Sequence, residues 1–317
     1  MRPSQADRTD LAQNLPQRQD AGARWRMPYA ERPRYIQLET VTKCNAACPF
    51  CPQNELDRGV PKMPDELWKK VVDQTRGWGL TYRPFLTNEP FVDVRQPEIC
   101  RYIKENDPTA KVEYNSNGEL MTEKNARAIL EAGVDILRFS IDGLSRETYE
   151  PSRVGVSYDR VYERVPAFLK IWREEGYEEK GVFTEVRAIG VPEIAHEVED
   201  YKKFWEPKCS EVLITDLYQW PWTGQKREDV VKKPCLKVLD ELFVYANGNI
   251  TMCCWDVHER SVIGNVNEQT VEEIWTGYSV NHLRSLLDDG RRDLITLCSR
   301  CNAYEGYDFS KFENPQK

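Results

Sequence analysis

Six strand-like segments alternate with helical segments between residues 35 and 218 of this 317-residue chain. Short runs rich in β-branched and aromatic residues, such as YIQLET and VFTEVRAIG, are separated by stretches with helical periodicity. This alternation predicts an α/β fold, in which a parallel sheet carries its helices on the outside. Six strands are fewer than the eight of a closed barrel, so the pattern favours an open or partial (β/α)6 barrel.

The strand–helix rhythm stops after about Tyr218, and a second, smaller module is predicted. The segment LFVYANGNITMCC indicates a hairpin, because two strand-like runs flank Asn247-Gly248. A helix follows, with Thr270 as its N-cap. We expect an N-terminal arm over residues 1–33, a partial barrel over 34–217, and a linker loop with a small α+β module over 218–317. In the linker, residues 218–226 carry Trp220 and Trp222 and are predicted to cover the mouth of the barrel, or else to pack the two modules together.

Composition indicates the cellular environment of the chain and limits the classes of partner that it can bind. Ten cysteines without a secretory signal predict a reducing, cytoplasmic environment, where thiols serve metals or catalysis rather than disulfides. The sequence has no run of 18 apolar residues, so no membrane span is expected. A net charge of −8 argues against nucleic acid as a partner. Cys100 and Cys209 stand apart from the other cysteines and are expected to pack in the core.

The first cysteine group has the spacing C-x3-C-x2-C and follows the first predicted strand. Cys44, Cys48 and Cys51 can each hold one iron of a [4Fe–4S] cluster, which leaves the fourth iron without a protein ligand. An open coordination position is what a catalytic metal centre needs. The alternatives are a zinc knuckle that lacks one ligand and a chance grouping.

The second group is spaced C-x17-C-x44-C-x2-C, and its four thiols are Cys235, Cys253, Cys298 and Cys301. Four thiolates would fill every iron of a second [4Fe–4S] cluster, which makes a closed site. The same number of ligands suits tetrahedral zinc, so zinc is the alternative. With clusters in both groups, the chain would hold about eight irons.

The first group, with Phe50 before its third cysteine, resembles the signature of the radical S-adenosylmethionine (radical SAM) superfamily. Further segments agree in order and in position at strand ends: NEP at residues 88–90, NSNG at residues 115–118 and SIDG at residues 140–143. Asn88 stands where the family has glycine. The resemblance implies that the chain binds S-adenosylmethionine, and Glu89, Asn117 and Ser140 are the strongest candidates for contact with it. The full set of cofactor-binding residues implied is Phe50, Asn88, Glu89, Pro90, Asn115, Ser116, Asn117, Ser140 and Asp142.

The second module is similar to the C-terminal auxiliary-cluster module called twitch, the one-cluster relative of the two-cluster SPASM module. The similarity rests on the hairpin before Cys253, on IGNV at residues 263–266, on EEIW at residues 272–275 and on CSRC. No cysteine follows Cys301, so the later ligands of a full SPASM module are absent from this sequence. The resemblance implies one auxiliary [4Fe–4S] cluster.

Three residues are candidates for catalysis. Successive strand residues face opposite ways, so Cys254 is expected to point away from the auxiliary site, either as a packing residue or as a hydrogen-atom donor to the active site. Arg187 on the fifth strand is placed to pair with a carboxylate of cofactor or substrate, or else it points outward or caps a helix. Asp256, like His258, follows closely and is a candidate base or substrate ligand, with a solvated loop position as the alternative.

The resemblance implies chemistry by a 5′-deoxyadenosyl radical and leaves the substrate open. The cysteine spacing resembles the 2-deoxy-scyllo-inosamine dehydrogenase type, which suggests oxidation of a secondary alcohol on a small amino sugar or aminocyclitol. Two alternatives remain: an epimerase like those that act on aminoglycosides, with Cys254 as donor, and a peptide-modifying maturase. The short arm before Tyr35 counts against the maturase, because such enzymes often carry a leader-binding domain. A flavodoxin or ferredoxin reductant is implied by resemblance.

Overall fold

The computed structural model describes residues 29–215, 217, 235 and 237–301. All six predicted strands are present, and each pairs in parallel with the next along the chain. They are β1 (Tyr35–Leu38), β2 (Thr81–Arg83), β3 (Lys111–Ser116), β4 (Ile136–Ser140), β5 (Phe183–Ile189) and β6 (Glu211–Thr215). The predicted α/β partial barrel is confirmed.

Six helices accompany these strands within the described part of the barrel. They are α1 (Asp65–Gln74), α2 (Gln96–Asn106), α3 (Glu123–Glu131), α4 (Arg146–Ser152), α5 (Tyr158–Glu174) and α6 (Val198–Trp205). Side chains that favour N-caps begin two of them, since Thr122 accepts from Asn125 N and Ser157 accepts from Arg160 N. Among the described residues, no helix is long and apolar enough to cross a bilayer.

The second module extends the barrel sheet. Its elements are α7 (Lys237–Asp240), β7 (Glu241–Val244), β8 (Asn249–Thr251), β9 (Val262–Asn265), α8 (Val271–Thr276) and α9 (Tyr278–Asp288). Strand β7 pairs in parallel with β1, so the strands form one sheet in the order β6-β5-β4-β3-β2-β1-β7-β8-β9. Among the described strands, β6 and β9 stand at the two ends of this order and do not pair with each other, so the sheet that they bound is open.

The predicted hairpin and helix start of the second module are confirmed. Strands β7 and β8 are antiparallel, and Gly248 in their turn has a φ of +89°, a conformation that glycine adopts without steric cost. Thr270 caps α8, and Glu273 completes a reciprocal capping box with it. The continuous pairing of β7 with β1 has no local signature in the sequence.

The two faces of the barrel sheet differ in chemistry. On the helix side, Tyr114 donates from its hydroxyl to the Gln96 carbonyl of α2, and the rings of Phe139 and Phe168 lie 5.2 Å apart. Side chains of successive strand residues point to opposite faces. The residues that alternate with this apolar set therefore line the concave lumen, and they are largely charged.

Parts of the predicted organisation lie outside the described residues. These are residues 1–28 of the expected arm and residues 218–226, which include Trp220 and Trp222. Cys100 and Cys209 are buried, which confirms that they pack in the core.

Gly118 offers a test of packing at the end of β3. Gly118 has a φ of +81°, and an added Cβ would overlap the Val165 methyl of α5. Gly181 is the comparison, because it has a similar φ of +87° but open space around it. Alanine at either position lowers the free energy of unfolding by about 1–2 kcal/mol, because its backbone must adopt a positive φ. In Gly118→Ala, the steric overlap lowers it further, by about 1–3 kcal/mol. Urea unfolding of reconstituted protein should show the larger loss for Gly118→Ala. Equal losses in the two variants would contradict this account of the packing.

Candidate active site

The first cysteine group lies on a loop that is closed at its base. Strand β1 ends at Leu38, and an antiparallel bridge joins Val41 to Lys62. Thr42 donates from Oγ1 to the Pro61 carbonyl oxygen at 3.0 Å, and Gln53 Nε2 donates to Thr42 O at 2.9 Å. We call residues 42–61 the cluster loop. It follows the carboxyl end of a parallel strand, where barrel enzymes place their active sites.

The thiols of the cluster loop already receive polar contacts suited to bound iron. Ala46 N donates to Cys44 Sγ at 3.4 Å, and Arg153 Nη1 donates to Cys48 Sγ at 3.9 Å. Burial raises the pKa of the Cys44 thiol to about 12. Without a ligand the thiol is therefore protonated at neutral pH, and iron would displace the proton as it binds. The three cysteines, with no fourth protein ligand on the loop, fit an open [4Fe–4S] cluster.

Arg153 is a site residue that the sequence reasoning missed. It directly follows α4, and its Nε lies 2.7 Å from Asp142 Oδ2. Its guanidinium also lies over the Phe50 ring, 5.3 Å from the centroid. Phe50 and Asp142, both predicted as site residues, thus contact the same arginine, which lies in no recognisable motif. Asp142 also accepts from Ile189 N at 2.9 Å, which ties the ends of β4 and β5 together.

Glu89 joins the ends of β2 and β3. Its carboxylate accepts from Phe91 N at 3.1 Å, Ser116 Oγ at 2.9 Å and Asn117 N at 2.8 Å. Burial raises its pKa to about 7, although these three hydrogen bonds act in the opposite direction. Asn117 in turn donates from Nδ2 to Asn45 Oδ1 on the cluster loop, at 2.9 Å. The structure therefore brings Glu89, Ser116 and Asn117 together beside the cluster loop.

Three buried polar atoms without a hydrogen-bond partner mark the same strand ends. They are Thr87 Oγ1, Asn88 Nδ2 and Asn115 Oδ1, which together offer donors and an acceptor. Unpaired buried polar groups are rare in native proteins and indicate a ligand or water. The amine, carboxylate and hydroxyl groups of S-adenosylmethionine fit such a set. Asn88 needs no left-handed backbone, so the glycine of the family is not required here for conformational reasons. Pro90 begins a short 3-10 helix at residues Pro90–Val92.

A continuous chain of ion pairs lines the lumen below these strand ends. Lys237 Nζ lies 2.8 Å from Glu241, Arg83 Nε lies 3.2 Å from Glu113, and Arg138 Nε lies 3.1 Å from Glu185. Further pairs connect these contacts to one another. We call this set the lumen chain. It consists, in order of contact, of Lys237, Glu241, Arg83, Glu113, Arg138, Glu185 and Arg187.

Arg187 lies on β5 as predicted, and its described partner is Glu185 of the same strand. It therefore ends the lumen chain instead of capping a helix. Its side chain is about a quarter exposed (26%), which leaves part of the guanidinium open to the lumen. Ser140, the last residue of β4, lies beside Arg187 in the sheet register. A role for either residue toward cofactor or substrate stays a prediction.

The four cysteines of the second group line one small cavity. Cys235, Cys253, Cys298 and Cys301 surround about 40 Å³ in the second module, with a largely apolar lining that includes Val238, Leu283, Leu287 and Ile295. Burial raises the pKa of the Cys298 thiol to about 12, although the charge of Arg292, which also lines the cavity, acts in the opposite direction. The structure thus brings together thiols that are up to 66 residues apart in sequence.

The donor set of this cavity fits an iron–sulfur cluster. Four thiols around one small cavity can each bind a different iron of a [4Fe–4S] cluster. The same four thiols could also bind one zinc ion, so the ligand set by itself leaves both metals open.

Cys253 lines the auxiliary cavity, whereas Cys254 is not among its described lining residues, and the predicted orientation of Cys254 away from that cavity stays a prediction. Strand β8 ends at Thr251, so the alternation of strand side chains does not extend to Cys253 and Cys254. Both residues are half-buried, and their thiols lie close enough to interact with each other. The Cys254 thiol also lies near the charges of Lys237, Glu241 and Arg83. Cys254 therefore stands between the auxiliary cavity and the lumen chain.

Asp256 holds the loop that carries Cys253. Its carboxylate accepts from Arg260 N at 2.9 Å and from Ser261 N at 2.7 Å, and the side chain lines the auxiliary cavity. Burial raises its pKa to about 6. These contacts give Asp256 a structural role, and the catalytic role predicted for it has no supporting contact among the described residues. The neighbouring His258 is partly buried near Arg58, and burial lowers its pKa.

Comparisons with known proteins agree with this geometry. The profile described as the radical SAM superfamily matches residues 38–204, and the profile of the SPASM iron-sulfur cluster-binding domain matches residues 235–302. A relative from Niallia circulans, named S-adenosyl-L-methionine-dependent 2-deoxy-scyllo-inosamine dehydrogenase, is 21% identical over 275 residues, which cover 84% of this chain and 92% of the relative.

Two solved structures share the fold. The crystal structure of BtrN in complex with AdoMet and 2-DOIA superposes with a TM-score of 0.59 at 19% identity, and covers 85% of this chain and 92% of its own. Streptococcus suis SuiB gives a TM-score of 0.58 at 13% identity, over 78% of this chain and 66% of SuiB. At these identities the likeness concerns the fold alone.

Replacing Arg153 tests its part in the first site. Arg153→Met removes the cation beside Cys48 and leaves Asp142 buried without its partner. Breaking a buried ion pair in this way lowers the free energy of unfolding by about 3–5 kcal/mol. We expect the variant to lose iron selectively from the cluster loop, and Arg153→Lys to retain more. Iron analysis and electron paramagnetic resonance (EPR) of the reduced cluster measure this. Arg146→Met, a control at an exposed arginine, should retain its iron. Full iron content in Arg153→Met would refute the assignment.

Proposed function

This chain belongs to the radical SAM superfamily, and on that basis we propose that it oxidises a secondary alcohol of a small polar substrate to a ketone. The substrate class proposed is an amino sugar or aminocyclitol. The observation that carries the proposal is the position of Cys253 and Cys254, which puts a ligand of the auxiliary site directly beside the charged lumen of the barrel.

The electron balance of the reaction explains why this position matters. When bound, S-adenosylmethionine and the first cluster supply a 5′-deoxyadenosyl radical that takes one hydrogen atom from the substrate, and the auxiliary cluster supplies an acceptor for one electron. The alcohol must then release one proton before it becomes a ketone. We propose that Glu241, in the lumen chain beside Cys254, receives that proton.

The lumen chain supports a small, hydrophilic substrate. Its charged groups are paired with one another before any ligand binds, so they present a fixed polar surface. Hydrogen-bonding groups held in place orient a polyhydroxylated ring with little reorganisation. Asn115 Oδ1 is buried without a partner on β3, two residues beyond Glu113 on the same face, and is available to a hydroxyl or ammonium donor.

The relatives support the same reaction class. The curated relative from Niallia circulans is named a dehydrogenase of 2-deoxy-scyllo-inosamine, and it matches along most of both chains. The BtrN structure was solved with AdoMet and 2-DOIA, and shares the fold with this chain. A peptide-modifying function has weaker support, since it rests on the shared fold with SuiB, which was solved bound to its precursor peptide SuiA, and on no curated relative named here.

Epimerisation is a second candidate, and the location of Cys254 favours it specifically. A thiol beside the lumen chain could return a hydrogen atom to a substrate radical. Cys254 would then be left as a thiyl radical, and one electron from the reductant and one proton would have to restore the thiol, with no net oxidation of the substrate. Oxidation remains our first choice because the auxiliary site offers an electron acceptor next to the same thiol.

Electrons for the first cluster must enter from outside the chain. An open groove of about 620 Å³ lies beside the cluster loop and is lined by residues that include Lys43, Cys44 and Arg58. We propose a reductant of the flavodoxin or ferredoxin type, which would approach the cluster loop from this side.

Cys254→Ala in deuterium oxide separates the two reactions. If the chain is a dehydrogenase, the variant should keep activity within several-fold, since loss of one buried thiol is a modest truncation. The wild-type product should then be a ketone with no deuterium on carbon beyond ordinary exchange. Mass spectrometry of the product and of 5′-deoxyadenosine measures both. Cys209→Ala is the matched control. It removes a buried thiol whose described contacts are the carbonyl oxygens of Trp205 and Glu211.

The opposite result would identify an epimerase. Two results together would overturn the dehydrogenase proposal. The wild-type product would carry one deuterium at a single inverted carbon, and Cys254→Ala would form 5′-deoxyadenosine but no inverted product.

A further inference from the structure

One buried arginine joins the two loops that carry the iron–sulfur ligands. Arg58 belongs to the cluster loop, seven residues after Cys51. Its side chain is almost fully buried (3% exposed), and its contacts reach the loop that follows Cys253. We call residues 253–261 the auxiliary loop. The proposed chemistry of either site gives Arg58 no role.

On the barrel side, Arg58 is fixed to the base of its own loop. Its Nε donates to Glu39 Oε2 at 3.0 Å, and its Nη2 donates to Glu39 Oε1 at 3.2 Å, which makes a bidentate pair. Glu39 directly follows β1 and also accepts from Ala246 N at 3.2 Å, just after β7. The guanidinium lies over the Tyr245 ring at 4.4 Å. Arg58 is therefore held where β1 and β7 end.

The remaining donors of Arg58 reach the auxiliary loop. Nη1 donates to the Val257 carbonyl oxygen and lies 3.1 Å from Glu259 Oε1. Glu259 has a φ of +53°, which is uncommon for a residue other than glycine and carries a backbone cost. Its carboxylate also accepts from Asn247 Nδ2 at 2.9 Å and Asn249 Nδ2 at 2.6 Å. The backbone cost is offset by these contacts with the hairpin and with Arg58.

Movement at Val257 would reach Cys253, because the auxiliary loop is tightly closed. Asp256 N donates to the Cys253 carbonyl oxygen at 3.0 Å, and the Asp256 carboxylate binds the amides of Arg260 and Ser261. Tyr245, under the Arg58 guanidinium, donates from its hydroxyl to Asp256 O at 2.9 Å. The loop thus moves as one unit with its cysteine.

We propose that Arg58 is a positioning residue that fixes the auxiliary site at a set distance from the first iron–sulfur site. A planar guanidinium has five donors in a rigid fork, and here they are divided between the stem of one loop and the backbone of the other. Lysine keeps the charge but offers a point-like ammonium on a flexible stem, so it cannot serve both loops at once. Since one-electron transfer from the substrate depends on distance, the positioning also serves the proposed oxidation, and to that extent rests on it.

The direct test measures the distance between the two reduced clusters by pulsed dipolar EPR. We expect one narrow distance distribution in the wild-type protein and a shifted or clearly broader one in Arg58→Lys. Arg284→Lys is the matched control, because Arg284 is a buried arginine of the second module that contacts Trp275 and Val238 instead of the cluster loop. Its distribution should equal that of the wild type. An unchanged narrow distribution in Arg58→Lys would overturn the proposal.

A second variant guards against loss of folding. Arg58→Met combined with Glu39→Gln removes the guanidinium together with a carboxylate that would otherwise remain buried and unpaired. If Arg58 only balances charge, this double variant should regain the wild-type distance distribution, and the proposal fails. If Arg58 positions the loops, the distribution stays altered.

Product analysis separates this proposal from the proposed function. In Arg58→Lys, the yield of oxidised product per 5′-deoxyadenosine should fall several-fold if the auxiliary cluster accepts the electron. An altered distance distribution with an unchanged yield would support the positioning role and count against the proposed oxidation.

Discussion

Parallel pairing of β7 with β1 is the interaction on which both sites depend. Where the two strands end, Glu39 N donates to Val244 O at 2.9 Å, and the Glu39 carboxylate accepts from Ala246 N. The cluster loop leaves from the end of β1, and the hairpin that leads to Cys253 leaves from the end of β7. One pair of neighbouring strands thus fixes the cluster loop relative to the hairpin that carries Cys253.

Local patterns were sufficient to predict the barrel and the ligands. The six strands followed from the alternation of strand and helix periodicity, and the spacing of the cysteines predicted both groups that the structure brings together. Long-range contacts could not be predicted in the same way. Arg153 and Arg58 acquire their partners only in the folded chain, since Asp142 and Val257 lie in other segments and no spacing marks them. The lumen chain was missed for a related reason, because single charges on short strands usually indicate solvent exposure.

Cys254 shows how far a local rule extends. Alternation of side chains holds only while the strand continues, and β8 ends two residues before Cys253. Cys254 lies beside Cys253, which lines the auxiliary cavity, and near Lys237, Glu241 and Arg83 of the lumen chain. Oxidation and epimerisation therefore use the same group of residues and differ in whether this thiol or the neighbouring cluster completes the reaction.

Mössbauer spectroscopy of protein reconstituted with ⁵⁷Fe can distinguish one open from one closed iron–sulfur site in this chain. Addition of S-adenosylmethionine should change the signal of one iron in the cluster on Cys44, Cys48 and Cys51, and leave the other cluster unchanged. A variant with alanine at Cys235, Cys253, Cys298 and Cys301 should lose only the unresponsive cluster. Zinc in the second site, or no response of any iron to S-adenosylmethionine, would contradict the account.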